Sequence, residues 1–158
     1  MTINKITPCL WFDKQAEEAA KFYVSIFKNS SVGSVSYYGT EGFEIHGMPE
    51  GTVLTLEFQL DGQAFTALNG GPNFKFTEAV SFQVSCDTQT EIDHFWDKLS
   101  EGGSESQCGW LKDKFGLSWQ IVPTILPKLL SDPAKSEKVM KALMQMQKLD
   151  IEKLKQAK

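Results

Sequence analysis

Cysteine, histidine and basic charge are all in short supply in this chain. Three cysteines, an odd number with no CxxC pair, make no disulfide frame and fit reduced thiols in a cytoplasmic protein. Sixteen Lys and Arg against twenty Asp and Glu give a net charge of −4. That balance argues against nucleic acid as a partner, because phosphate binding needs a basic face. No apolar run approaches the roughly 18 residues of a membrane-spanning helix. The opening MTINKITPCLWF has neither the apolar core nor the small-residue cleavage site of a secretory signal. The two histidines, His46 and His94, have no His, Cys or carboxylate at ligand spacing, so neither a metal nor another cofactor is expected. There is no phosphate-binding loop, no serine nucleophile elbow and no HExxH.

What is present is a patterned chain of 158 residues, with 41% apolar and 23% charged content. One domain, 1–158, is the natural expectation for such a length. The run 6–12 alternates, with Leu10 and Phe12 on one face and Thr7, Cys9 and Trp11 on the other. Pro8 has no amide to donate, which places that strand at an edge. Asp13 is positioned to cap a helix over 15–28, whose stripe is Ala16, Ala19, Ala20, Tyr23 and Phe27. A short strand over 34–38 precedes a Gly-rich loop, 39–51, that holds His46 and is long enough to serve as a lid. The segments 52–60 and 63–68 read as strands joined at Asp61-Gly62, a hairpin signal.

The order then recurs. A strand over 80–86 leads to a helix capped by Asp87 or Thr88 and ending near Ser100 before Gly102-Gly103. A short strand at 104–107 follows, and then the densest stretch of all, CGWLKDKFGLSWQIVP (108–123). It reads as a hairpin with strands through Trp110 and over 117–122; Lys112, Asp113 and Lys114 look like turn charges. The chain is therefore α+β, β-α-β-β-β twice: a first module over 1–72, a second over 78–123 and a helical tail over 124–158. In the tail, Asp132-Pro133 signals a helix start. Val139, Met140, Leu143, Met144 and Gln147 form a stripe suited to core or dimer packing.

The strand faces turned away from the apolar stripes carry whatever chemistry there is. They hold Thr7, Cys9 and Trp11; Thr55, Glu57 and Gln59; Phe65, Ala67 and Asn69; Ser81, Gln83 and Ser85; and Ser118 and Gln120, with Trp110 beside them. Curled into one concave space, these aromatic and neutral hydrogen-bonding groups would make a small-molecule pocket; the competing reading is a polar sheet face in water. Glu57 is the carboxylate on such a face, a general base if desolvated and otherwise a surface charge. Gln120 and Cys9 are the other candidate reactive groups, while Cys9 and Cys86 also suit small buried hydrophobes.

The segment FxxxxEEAxxFYxxIF (12–27), ALNGGP (67–72) and above all CGWLKDKFGLSWQIVP resemble the PhnB-like branch of the vicinal oxygen chelate superfamily. That branch's domain carries a 3-demethylubiquinone methyltransferase label, and the superfamily includes glyoxalases, dioxygenases and bleomycin-resistance proteins. The resemblance implies paired βαβββ modules forming a cupped, barrel-like mixed sheet, and a homodimer. Carried over, the superfamily's four metal-ligand points fall on Thr7, Ala67, Ser81 and Gln120. Of these Gln120 alone could hold a divalent ion, so a metal-free site is expected. The methyltransferase label also lacks its usual Gly-rich loop here. A metal-independent enzyme-like protein and a resistance-type sequestering protein both fit what remains.

Overall fold

The computed structural model describes residues 4–157. The chain divides into two compact units, Met1–Lys75 and Phe76–Lys158. Each contains one four-stranded mixed sheet.

In the first unit the order is β1 (Cys9–Phe12), α1 (Ala16–Ile26), β2 (Ser31–Tyr37), the short α2 (Phe43–His46), β3 (Val53–Leu60) and β4 (Gln63–Asn69). The strands lie in the order β1-β4-β3-β2, with β1 parallel to β4 and the other pairs antiparallel. Pro8 therefore flanks an outer strand, and its carbonyl accepts from Thr66 N–H at 2.9 Å. Asp61 and Gly62, at φ 46° and 80°, turn β3 into β4 in the left-handed conformation a two-residue hairpin needs.

Helix α1 covers one face of this sheet. Its Ala16, Ala19, Ala20, Tyr23 and Ile26 bury against Leu10, Phe12, Leu56, Phe58 and Leu60. Three small alanines allow close approach, and the rings of Tyr23 and Phe58 stack 6.2 Å apart. The helix cap expected from Asp13 comes instead from Asn69, fifty-three residues on, whose buried Oδ1 accepts from Ala16 N–H at 2.9 Å. Its Nδ2 donates to Val53 O at 3.0 Å. One side chain thus ties α1, β3 and β4 together, replacing a cap that local sequence alone would supply.

The second unit repeats the plan with β5 (Ser81–Cys86), α3 (Gln89–Ser100), β6 (Ser104–Glu105), β7 (Trp110–Lys112) and β8 (Ser118–Pro123). Its strand order, β5-β8-β7-β6, matches the first unit position for position, down to the single parallel pair. Thr88 caps α3 in a reciprocal box with Glu91. Ile92, Trp96 and Leu99 bury against Leu111, Trp119 and Ile121.

The tail forms α4 (Leu126–Ser131), α5 (Ser136–Leu143) and α6 (Ile151–Gln156). Asp132-Pro133 makes the turn before α5 rather than its first residues, Asp132 O accepting from Ser136 N–H at 2.8 Å. Leu126, Val139, Leu143, Leu149 and Leu154 form a cluster that packs on Cys108 and Val122. Met140 and Met144 stay exposed at 43% and 60%, so the methionine stripe is only half core. Gln89 clasps the tail by donating to Leu149 O and accepting from Ile151 N–H, both at 2.9 Å. No helix among the described residues is long and apolar enough to cross a membrane.

Candidate functional site

Each module's helix covers one face of its sheet, and strand register assigns every residue of the other, open face. Directly paired residues share a face. In the second module Ser104, Lys112, Ser118 and Ser81 therefore form one row across the sheet. The next row is Trp110, Gln120 and Gln83. In the first module the corresponding rows are Ser36, Thr55, Leu68 and Trp11, then Glu57, Thr66 and Cys9.

This register corrects one strand of the expected site. Phe65, Ala67 and Asn69, expected on the open face, pair with Phe58, Leu56 and Phe12 and are buried on the helix side. Phe65 stacks on Phe58 at 5.2 Å between ring centres. A run of mixed small and aromatic residues, Ala-Phe-Thr-Ala-Leu-Asn, has no clear apolar side, so its parity was ambiguous without the partner strand. The open face takes Thr66 and Leu68 from β4 instead.

The second module holds the most organised polar group. Gln120 Nε2 donates to Ser81 Oγ at 2.8 Å, and Gln83 Nε2 approaches Gln120 Oε1 at 3.4 Å. Two amides and a hydroxyl from neighbouring strands are thus linked, with Trp110 opposite Gln120 on the same face. All three polar groups are neutral and can both donate and accept.

In the first module Trp11 is half-buried and already engaged. Its Nε1–H donates to Gly71 O at 2.9 Å, its ring meets Phe74 edge-on at 4.9 Å, and Gly70 lies flat beneath it. A Cβ on Gly70 would sit 2.2 Å from the Trp11 ring, which is why glycine is required there. Thr7 is exposed just before β1, and Cys9 and Glu57 are exposed on the open face. Glu57 therefore stands in water as a surface carboxylate does. Although Cys9 is exposed as a residue, partial burial of its sulfur raises its thiol above the ordinary 9.0, which opposes a nucleophilic thiolate at neutral pH. Cys86, on the helix side, is pushed up to about 12 by burial, aided by the charges of Glu91 and Asp87.

The loop 39–51 is pinned. Met48 N–H donates to His46 Nδ1 at 2.9 Å, which leaves Nε2 to donate to Glu41 O at 3.0 Å. Tyr38 lies 4.5 Å from the His46 ring and donates its hydroxyl to Asn69 O at 2.5 Å. Both imidazole nitrogens of His46 are used inside the loop.

The Lys-Asp-Lys run also departs from expectation. Asp113 is buried rather than a turn charge. Its Oδ1 accepts from Phe115 and Leu117 N–H at 2.9 and 3.1 Å, and its Oδ2 accepts from Trp119 Nε1–H at 2.9 Å. Lys112 belongs to β7 and reaches Glu78 at 2.5 Å on the open face. Lys112, Glu78 and Ser104 were not expected in the site. The sign that could have found Lys112 is its parity with Trp110, two residues before it on the same strand.

The profile of the 3-demethylubiquinone-9 3-methyltransferase family matches residues 4–122. The chain belongs to this family, the PhnB-like branch of the vicinal oxygen chelate superfamily. It is 38% identical to the PhnB protein of Bacillus cereus, over 77% of this chain and 100% of that one, with a TM-score of 0.68. Protein PA1353 of Pseudomonas aeruginosa covers 77% of this chain and 98% of its own at 18% identity and a TM-score of 0.61. The fosfomycin resistance protein FosX of Listeria monocytogenes, solved with Mn(II) and sulfate, covers 82% and 97% at 13% identity and a TM-score of 0.53. These last two likenesses show the fold alone. No curated protein matches the sequence.

The donor set of this chain does not fit the metal of such relatives. Of the four carried-over points, Ala67 has no donor and faces α1, and Thr7 and Ser81 offer hydroxyls, poor ligands for transition metals. In the row Glu57-Thr66-Cys9 a whole strand lies between the carboxylate and the thiol, and the residue on that strand, Thr66, offers only a hydroxyl. Among the described residues no three His, Cys, Asp or Glu gather to hold one.

Proposed function

We propose that this PhnB-like protein binds a small molecule on the open face of its second sheet, through neutral hydrogen bonds and without a divalent metal. The observation that carries the reading is the linked Ser81-Gln120-Gln83 group beside Trp110. An aromatic wall with a few convergent polar groups is the usual make-up of a ligand site. The amides bond mainly to one another and to Ser81, so a ligand that exchanges those bonds for its own leaves no group unpaired.

The family's methyltransferase name finds little support in the fold. Common S-adenosylmethionine enzymes use a parallel sheet with a Gly-rich loop after the first strand; each module here has one parallel pair. Sequestration fits better than catalysis, because Glu57 is exposed and the shift of the Cys9 thiol works against a nucleophilic role. FosX is a resistance protein on the same fold, and a protective binding role is in keeping with that. A homodimer is in keeping with the exposed apolar residues Val32 and Tyr37 on the outer strand β2, with Phe43 and Ile45 nearby in sequence.

The test is a thermal-shift screen of antibiotics and small metabolites on the wild type and Gln120→Leu, in buffer with EDTA. Hits that stabilise the wild type and not the variant are expected. Hits unaffected by the substitution, or binding that appears only on adding Mn(II), would overturn the proposal.

A further inference from the structure

Beside the amide group, at the β6–β7 edge of the second sheet, lies a cleft of about 210 Å³. Glu78, Ser104, Glu105, Ser106, Trp110, Lys112 and Ser118 contribute to its walls. Pockets that enclose a whole drug-sized ligand run from about 300 Å³ upward, so this one takes an end group rather than an entire molecule.

Two groups of the cleft can serve as donors to an anion. Ser118 is 1% exposed, and its Oγ has no hydrogen-bond partner among the described residues. A buried hydroxyl left unpaired is costly, so a water or a ligand atom that pairs with it is favoured there. Lys112, directly opposite Ser118 in the ladder, supplies the only cation of the lining. Its ammonium is taken by Glu78, at 2.5 Å. Glu78 stands on the exposed turn just before β5, with its side chain 62% exposed, so nothing packs it into place. The ion pair holds the Glu78 carboxyl below its ordinary 4.5, so it is charged at neutral pH.

We infer that the cleft is a subsite for the carboxylate of an aromatic acid, and that Glu78 occupies it as an internal stand-in until the ligand displaces it. The ligand's carboxylate takes the Lys112 ammonium and accepts from the Ser118 hydroxyl, while its ring lies against Trp110. This rests on the binding face proposed above and adds to it the class of ligand. Glu105 is committed elsewhere, accepting from Trp96 Nε1–H at 2.9 Å, so it does not compete for Lys112.

The test uses benzoate, with benzamide as the uncharged control, followed by amide-resolved NMR titration of the full chain. Benzoate is expected to bind and benzamide to bind at least tenfold more weakly. Glu78→Gln, which removes the competing charge from a solvent-exposed turn, should tighten benzoate about two- to fivefold, the range that an exposed ion pair can impose as a competitor. Lys112→Met should abolish it. No benzoate binding in either the wild type or Glu78→Gln, equal binding of benzamide, or binding that survives Lys112→Met would each overturn the inference. The failure of the broader reading looks different. In that case Gln120→Leu leaves every screened ligand bound as before, whatever Lys112 does.

Discussion

Asp113→Asn offers the sharpest check on how the site is held. The carboxylate lies under the β7–β8 turn and accepts hydrogen bonds from Phe115 and Leu117 N–H and from the Trp119 indole. Asparagine keeps one acceptor oxygen, enough for the two backbone donors. Its amide nitrogen then faces the Trp119 N–H, donor against donor. The loss is one hydrogen bond to a charged group, about 1.5–3 kcal/mol, with a buried indole N–H left unpaired. A destabilisation of about 3 kcal/mol is expected, large for a swap of nearly equal size. Urea unfolding followed by tryptophan fluorescence reads it, the transition that reports Trp119 being the relevant one. Trp119→Phe removes the orphaned donor, so the double variant should recover part of the loss, a coupling visible in a double-mutant cycle. A single-variant cost below about 1 kcal/mol, or strict additivity, would refute the reasoning.

Other expected outcomes follow from the same geometry. Phe65→Ala should cost about 3–5 kcal/mol by opening a cavity against Phe58, whereas Thr66→Ala on the open face should stay within about 0.5 kcal/mol; comparable effects would mean the faces are exchanged. Cys86 is pushed from its ordinary 9.0 to about 12, so above pH 9 the unfolded chain releases a proton that the folded one keeps. Stability must then fall as pH rises through that window, by about 2 kcal/mol at pH 10.5 relative to Cys86→Ala; parallel pH profiles of the two proteins would contradict this. Gln89→Ala breaks two bonds that hold the tail. It should raise amide exchange across 146–154, and unchanged protection there would show that the leucine cluster alone suffices.

Much of the fold is legible in the sequence because each element carries its own signal. The strand over 52–60, the Asp61-Gly62 turn and a helix cap at Asp87 or Thr88 are local features, and the structure keeps the strand, the turn and the cap at Thr88. What is hidden depends on distant partners. The N–H of Ala16 is satisfied from β4 by Asn69, which no local reading of Asp13 could reveal. The face of β4 is fixed by Phe58 and Leu10 on its neighbours, not by its own mixed pattern. Asp113 reads as a turn charge until Trp119, six residues on, is seen to donate to it. The sharing of one sheet face was legible where both strands showed their parity, at Ser81, Gln83 and Gln120. It was obscured at Lys112, where strand and turn meet.

Gln120, Ser81 and Gln83 are proposed to form a metal-free contact surface for a small ligand. Side-chain amide NMR of selectively labelled glutamine tests it most directly, recorded with EDTA while adding a hit from the thermal screen. The Gln120 and Gln83 amide signals are expected to shift together, saturably and at the ligand's own affinity. Signals that stay still while the ligand binds, or that move only when Mn(II) is supplied, would contradict it.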